Sequence, residues 1–250
     1  MVNLDSIPLT LAYAGNYNKS PRTIDKIKYI VMHYTSNIGD TAKNNVDYFS
    51  TAFTQSSAHF FVSDGDIWQS VPITHAAYAV GLGSMSGPYR GTNPSHYKIC
   101  NNSNSVSIEM CGSKTSREAS SKTKQTACEL AVSLLRFLGL TPSCIIRHYD
   151  VTGKPCPAWA VEDPAKWLEI QLEINKLFYG DDDMTDTEEN YQLFKLWMER
   201  LNKEKAAENP AWSQAAMEWA QNKGLINDGK PSLPVTRAEL ATVLQRMAAK

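Results

Sequence analysis

Lys28-Tyr29-Ile30-Val31-Met32-His33-Tyr34 is the stretch on which the fold turns. Its β-branched and aromatic residues mark a buried strand, with a histidine at its end. Working outward, Ala58–Val62 and Ile67–Val71 flank Ser63-Asp64-Gly65-Asp66. An Asp-Gly pair between two such runs is a strong hairpin signal. Ser105–Cys111 alternates, which predicts a strand with Val106, Ile108 and Met110 on one face and Glu109 on the other. Ile145 to Tyr149 reads as a fifth strand.

Helical patterns lie between these strands. Thr115-Ser116-Arg117-Glu118 has capping-box spacing, and Ala127, Leu130, Ala131, Leu134, Leu135 and Leu138 follow at helical intervals up to Gly139, a fitting stop. Asp163-Pro164 opens a second helix whose apolar face is Trp167, Ile170, Ile174, Leu177 and Phe178. Strands interleaved with helices predict an α/β fold, a mixed central β-sheet flanked by helices.

Gly180 followed by an acidic run to Asp186 is a linker signal. It divides the 250 residues into domains at 1–180 and 187–250, with 181–186 between them. Residues 187–250 read as helices only, a small all-α C-terminal domain. The formal net charge of −1 supplies no field toward nucleic acid. No apolar run approaches the roughly 18 residues that span a bilayer, so no membrane insertion is expected. Met1 to Ser6 lacks the basic and apolar regions of a secretory signal, which predicts synthesis and retention in the cytoplasm unless another route releases the chain. Five irregularly spaced cysteines argue for reduced thiols over a disulfide framework.

His33, His148 and Cys156 are the candidate metal ligands. If the strands that carry the two histidines are neighbours, both imidazoles leave the same sheet edge, and the loop through Gly153 and Pro155 returns Cys156 toward them. Three protein ligands leave the fourth tetrahedral position of zinc for water, as catalytic sites do. Glu109 is placed to serve as a base, and Lys154 is tethered close enough to stabilise an oxyanion. Each residue alone has an ordinary reading: a core histidine, a small buried thiol, a solvated carboxylate, a loop lysine. Spacing by itself reaches a metal-assisted hydrolase and leaves those alternatives open.

The chain resembles the zinc-dependent N-acetylmuramoyl-L-alanine amidases of the Amidase_2 type, which include phage endolysins and share their fold with peptidoglycan recognition proteins. The resemblance covers about residues 20–178. It rests on four anchors in order: Ile30 to Thr35, Ser57 to Gly65, Ser105 to Met110, and Arg147-His148 through Lys154-Pro155-Cys156-Pro157. It implies zinc (Zn2+) on His33, His148 and Cys156, Glu109 as catalytic carboxylate and Lys154 as the group that stabilises the transition state. The reaction implied is hydrolysis of the amide between N-acetylmuramic acid and L-alanine in bacterial peptidoglycan.

The sequence departs from the family in places. Ala58 stands where some members carry Tyr, Ala158 follows Pro157 where Gly is common, and Gly81 to Asn104 is a long segment expected to form a loop over the cleft. His75 sits at a family position that resembles a groove residue, so it is a candidate substrate contact. His59 is a second candidate contact, although its alternation with Ala58 and Phe60 favours a structural or supporting role over ligation. His96 is expected to be exposed. Trp219 to Ile226 followed by Pro234 to Leu240 looks like one copy of a surface-layer-homology-type module; a generic helical bundle or an oligomerisation module fits those residues equally.

The expectation is a peptidoglycan hydrolase of the endolysin or autolysin kind, with a helical wall-binding tail and holin-assisted release to the wall. Its rivals are a non-catalytic peptidoglycan-binding protein and a cytoplasmic amidase that recycles muropeptides.

Overall fold

The computed structural model describes residues 1–81 and 88–180, and the backbone of 226–227 and 230–231. In chain order the strands are β1 (Tyr17–Asn18), β2 (Tyr29–Tyr34), β3 (Phe60–Ser63), β4 (Asp66–Gln69), β5 (Ala76–Ala77), β6 (Ser105–Met110), β7 (Ile145–Arg147), β8 (Ile226–Asn227) and β9 (Lys230–Pro231). The helices are α1 (Ala42–Thr51), α2 (Ser121–Leu138), α3 (His148–Thr152), α4 (Ala158–Glu162) and α5 (Pro164–Tyr179). The chain divides into two compact units, Met1–Phe178 and Tyr179–Lys250.

Alternation in β2 sends Ile30 and Met32 to one side of the sheet and Val31 and His33 to the other, and all four are buried. β6 runs parallel to β2 with Met32 opposite Ile108 and His33 opposite Glu109. β7 runs parallel on the other flank of β2, with Ile30 opposite Ile145 and Met32 opposite Arg147. β3 joins β6 in parallel, and β4 closes the order β4-β3-β6-β2-β7 as an antiparallel edge. The sheet is therefore mixed, as predicted. The β3–β4 turn is Asp64-Gly65, with φ of 32° and 94°. Two left-handed residues are what a tight two-residue hairpin requires, and glycine adopts that region without strain.

One face of the sheet carries Ile30, Met32, Phe60, Val62, Val106 and Ile108 against Leu130, Leu134 and Leu135 of α2 and Trp167, Ile170 and Ile174 of α5. Each fully buried leucine there contributes roughly 1.5–3 kcal/mol. On the other face, α1 lays Ala42, Val46 and Phe49 over Phe61. It covers the β3 side and leaves the β2–β6 seam to the polar residues described below. Among the described residues no helix is long and apolar enough to cross a membrane.

Three elements differ from the sequence reading. α2 starts at Ser121, capped by Ser120, whose hydroxyl accepts from the Thr123 amide at 3.0 Å. The Thr115–Glu118 box does not cap it; Glu118 instead bridges Lys124 and Lys166 at 2.5 and 2.6 Å. β7 stops at Arg147, so His148 opens a short helix instead of ending a strand. α1 has no counterpart among the expected helices: two asparagines, a valine and two aromatics give it a weak apolar stripe, and Thr41 starts it by accepting from the Asn44 amide at 3.1 Å. The all-α reading of 187–250 and the linker at 181–186 lie outside the described residues. The exception is the antiparallel pair β8–β9, which falls between two of the expected helical stretches, so helix alone does not account for that part.

Ser120 also binds Asp64 of the hairpin turn, joining α2 to β3–β4. Ser120→Ala is expected to lower stability by about 1–2 kcal/mol. Thr115→Ala is expected to change it by less than about 0.5 kcal/mol. Urea denaturation of the two variants checks the pair, and equal losses would contradict the cap assignment.

Candidate functional site

Parallel strands deliver their C-terminal ends to one edge of a sheet, where open α/β sheets keep their sites. Adjacent β2 and β7 end there with His33 and with Arg147-His148. Beyond β7 the chain makes the short helix α3 and reverses at Gly153, whose amide donates to the Tyr149 carbonyl at 2.8 Å. Gly153 has φ of 78°, and a Cβ on it would lie 1.7 Å from Thr92 Oγ1, so both the turn and the packing require glycine. The Tyr149 amide then donates to the Cys156 carbonyl at 3.0 Å, which folds the loop back on α3.

This reversal brings together the three residues that the sequence separates by up to 123 positions. His33, His148 and Cys156 each offer one ligand atom, all within 4.8 Å of one another. Cys156 Sγ lies 3.8 Å from His33 Nδ1. The two imidazole centroids are 4.6 Å apart. A tetrahedral zinc ion with two nitrogens and one thiolate sets its ligand atoms about 3.3–3.6 Å apart, so the cluster closes on one by shifts of about an ångström. Three buried polar atoms in this neighbourhood, His33 Nε2, His148 Nδ1 and Glu109 Oε2, have no hydrogen-bond partner within the protein. Buried polar atoms are ordinarily paired, so His148 Nδ1 and Glu109 Oε2 mark a place built to hold something else, whereas His33 meets Cys156 through its other nitrogen, Nδ1.

Burial holds both histidines neutral. It pushes His148 down to about 4 and His33 well below the usual range, with the Lys154 charge adding to each and His148 acting on His33. Neutral imidazole is the form that ligates metal. Burial and then the Glu109 charge push the Cys156 thiol up to about 12, so the thiolate needs a cation beside it.

Glu109 shares its rung with His33, and its Oε1 lies 3.8 Å from His33 Nδ1. A fifth of its side chain reaches solvent. Burial raises its pKa to about 7, with Lys154 opposing and Asp40 reinforcing the rise. A carboxyl near neutrality can both take and give a proton. Lys154 is exposed at the rim, and its charge acts on His33, His148, Glu109 and Cys156 alike.

The remaining histidines lie outside the three-ligand cluster. His59 is 1 % exposed, so it is no substrate contact. Its Nδ1 lies 3.0 Å from the Ser107 amide and its Nε2 3.1 Å from the His75 carbonyl. Arg22 Nη2 approaches the same Nε2 at 3.0 Å, while its Nε and Nη1 donate to the carbonyls of Ile73 and Asn102. The half-buried ring of His75 rests edge-on to Tyr17, outside the three-ligand cluster. His96 is half-buried rather than exposed: its amide donates to the Asp150 carbonyl at 2.8 Å and its ring meets Tyr29 edge-on.

Sequence reasoning missed Arg22 and Asp40. Asp40 accepts from the Gly112 amide at 2.9 Å and from Asn45 at 2.7 Å, tying the loop after β2 to the loop after β6. Neither residue stands in a patterned segment, so no local signal exposes it.

Residues 23–159 match the family described as N-acetylmuramoyl-L-alanine amidase. The chain is 33% identical over 168 residues to the N-acetylmuramoyl-L-alanine amidase CwlL of Bacillus licheniformis, covering 65% of this chain and 45% of that protein. It is 32% identical over 171 residues to BlyA of Bacillus subtilis, also an N-acetylmuramoyl-L-alanine amidase, covering 66% and 46%. The chain thus spans about half the length of these relatives. Among solved structures, a mutant endolysin from Bacillus subtilis superposes with a TM-score of 0.53 at 26% identity, covering 70% of this chain and 99% of that one.

The interior position of His59 gives the fold a pH signature. Burial and the Arg22 charge push its pKa to about 3, against about 6.5 for an unfolded histidine. Between those values the unfolded chain binds a proton that the fold refuses, so this contribution is present above pH 6.5 and is lost as pH falls through the window. His59→Gln is expected to make the stability–pH curve shallower by up to about 1.4 kcal/mol per pH unit between pH 6 and 4. Urea midpoints in chelator measure it; an unchanged slope contradicts the assignment.

Proposed function

The chain belongs to the N-acetylmuramoyl-L-alanine amidase family, and on that premise we propose that it is a zinc-dependent peptidoglycan hydrolase. It cleaves the amide between the lactyl group of N-acetylmuramic acid and the L-alanine of the stem peptide. The observation that carries this reading is the meeting of His33, His148 and Cys156 within 4.8 Å, with Glu109 in the same rung as His33.

His33, His148 and Cys156 would hold the zinc. Held there, zinc would supply Lewis-acid polarisation of the scissile carbonyl and activation of the attacking water. Glu109 takes the proton of that water and returns it to the departing L-alanine amine. The Lys154 ammonium balances the negative charge that develops on the carbonyl oxygen. Burial of His33, His148 and Cys156 limits water at the ligands and strengthens electrostatic interactions there. Residues 187–250 are proposed, from their sequence alone, as a wall-binding module that brings the catalytic unit to its insoluble substrate.

Purified sacculi test the reaction. Digestion is expected to release free L-alanine amino termini and leave glycan strands intact, read by mass analysis; new reducing ends would refute the amidase reading. Chelation is expected to abolish lysis and added zinc to restore it. Glu109→Gln is expected to lower the rate by about 10²–10⁴-fold while the protein still binds zinc and walls. A Glu109→Gln protein with wild-type lytic activity would remove the base from this scheme. A wild-type protein that binds walls and releases nothing would favour a binding-only role.

A further inference from the structure

His148 and Cys156 stand on opposite sides of a reversal, α3 followed by the Gly153 turn, and a single side chain holds both of its ends. Arg147 leaves β7 on the helix-covered face of the sheet, immediately before His148. Its Nε and Nη2 donate to the two oxygens of Asp150 on α3, at 3.1 and 2.8 Å. Its backbone amide donates to Asp150 Oδ2 at 2.8 Å. Its Nη1 donates to the Ala160 carbonyl on α4 at 2.9 Å, four residues beyond Cys156. The guanidinium also lies against Tyr149 and Trp167, 5.2 and 5.4 Å from their ring centroids. Arg147 and Asp150 side chains are 15% and 17% exposed.

We infer that Arg147 is a positioning residue for the metal centre: its guanidinium sets the separation of His148 and Cys156 by gripping the chain on both sides of the segment that carries them. The inference rests on the zinc reading of His33, His148 and Cys156. His33 is fixed by the sheet itself, since β2 is paired on both flanks. His148 and Cys156 lie beyond the last ladder bond, and their spacing rests on the Tyr149–Cys156 backbone bond together with the Arg147 contacts that hold α3 to α4. A planar fork can serve Asp150 and Ala160 at once, whereas a lysine ammonium on a flexible stem cannot reproduce both directions. Loss of the fork lets the reversal sample other spacings, and zinc binding must then collect its ligands from that ensemble. The effect therefore appears in metal affinity more than in the stability of the apolar core.

The test uses the full chain freed of metal by chelator. Zinc affinity is measured by competition with a chromophoric chelator, ligand geometry by the absorption of the cobalt-loaded protein, and fold stability by urea unfolding without metal. Arg147→Lys and Asp150→Asn are expected to weaken zinc by about 10–100-fold and to shift the cobalt–thiolate band. Arg136→Lys is the control: that guanidinium holds the Leu177 and Phe178 carbonyls at 3.1 and 2.9 Å, away from the ligands, and its loss is expected to leave zinc affinity unchanged. If Arg147→Lys does not fold, Asp150→Asn carries the test. Folded variants with wild-type zinc affinity and cobalt spectra overturn the clamp, provided Cys156→Ser has lost zinc. If Cys156→Ser binds zinc as tightly as wild type, the metal reading falls and the clamp with it.

Discussion

The parallel, in-register pairing of β2 with its neighbours is the constraint from which the rest follows. Residues paired across parallel strands point the same way. Placing Met32 opposite Ile108 therefore places His33 opposite Glu109. One register builds the apolar layer under α2 and α5 and, on the reverse side, the polar seam. A slip by one residue would send the histidine into the helix-packed core and the methionine into the site.

Such a seam is costly because it removes polar atoms from water. Elsewhere the fold pairs its partly buried charged side chains with backbone groups. Arg22 reaches the carbonyls of Ile73 and Asn102, Asp40 the Gly112 amide, and Arg147 the Ala160 carbonyl. His59 occupies the interior in the same manner, with Ser107 and the His75 carbonyl as partners. Against that background the unpaired atoms of His33, His148 and Glu109 stand apart. Two further buried atoms among the described residues, Ser70 Oγ and Trp159 Nε1, also lack protein partners, but neither belongs to the three-ligand cluster.

Much of the fold was legible because period and punctuation are local. The Asp64-Gly65 hairpin, the Asp163-Pro164 helix start and the alternation at Ser105–Met110 all appear where the residues place them. The misreadings share a cause, competition between local signals that tertiary contacts decide. Thr115–Glu118 has capping spacing, but Ser120 caps the helix because Asp64 binds it and because Glu118 is drawn to Lys124 and Lys166. Ile145 to Tyr149 looks extended throughout, yet only Ile145–Arg147 has a partner strand, and Asp150 captures the Arg147 amide to start a helix. α1 was invisible because its stability comes from Phe61 beneath it more than from its own residues.

Residue type and order offer the candidate ligands, base and cation, since imidazole, thiolate, carboxylate and ammonium carry their chemistry wherever they sit, and the family resemblance gives them their roles. The sequence by itself also determined the α/β class, through the periods of 2 and 3.6 written into its apolar residues. Distance was left to the tertiary structure. That His33 shares a rung with Glu109, that His59 lies inside the fold and not in the groove, and that Arg147 grips both ends of the ligand-bearing reversal are facts about pairing. Pairing is settled by register, burial and hydrogen bonds between residues remote in the chain, and no local pattern encodes which remote partner will be met.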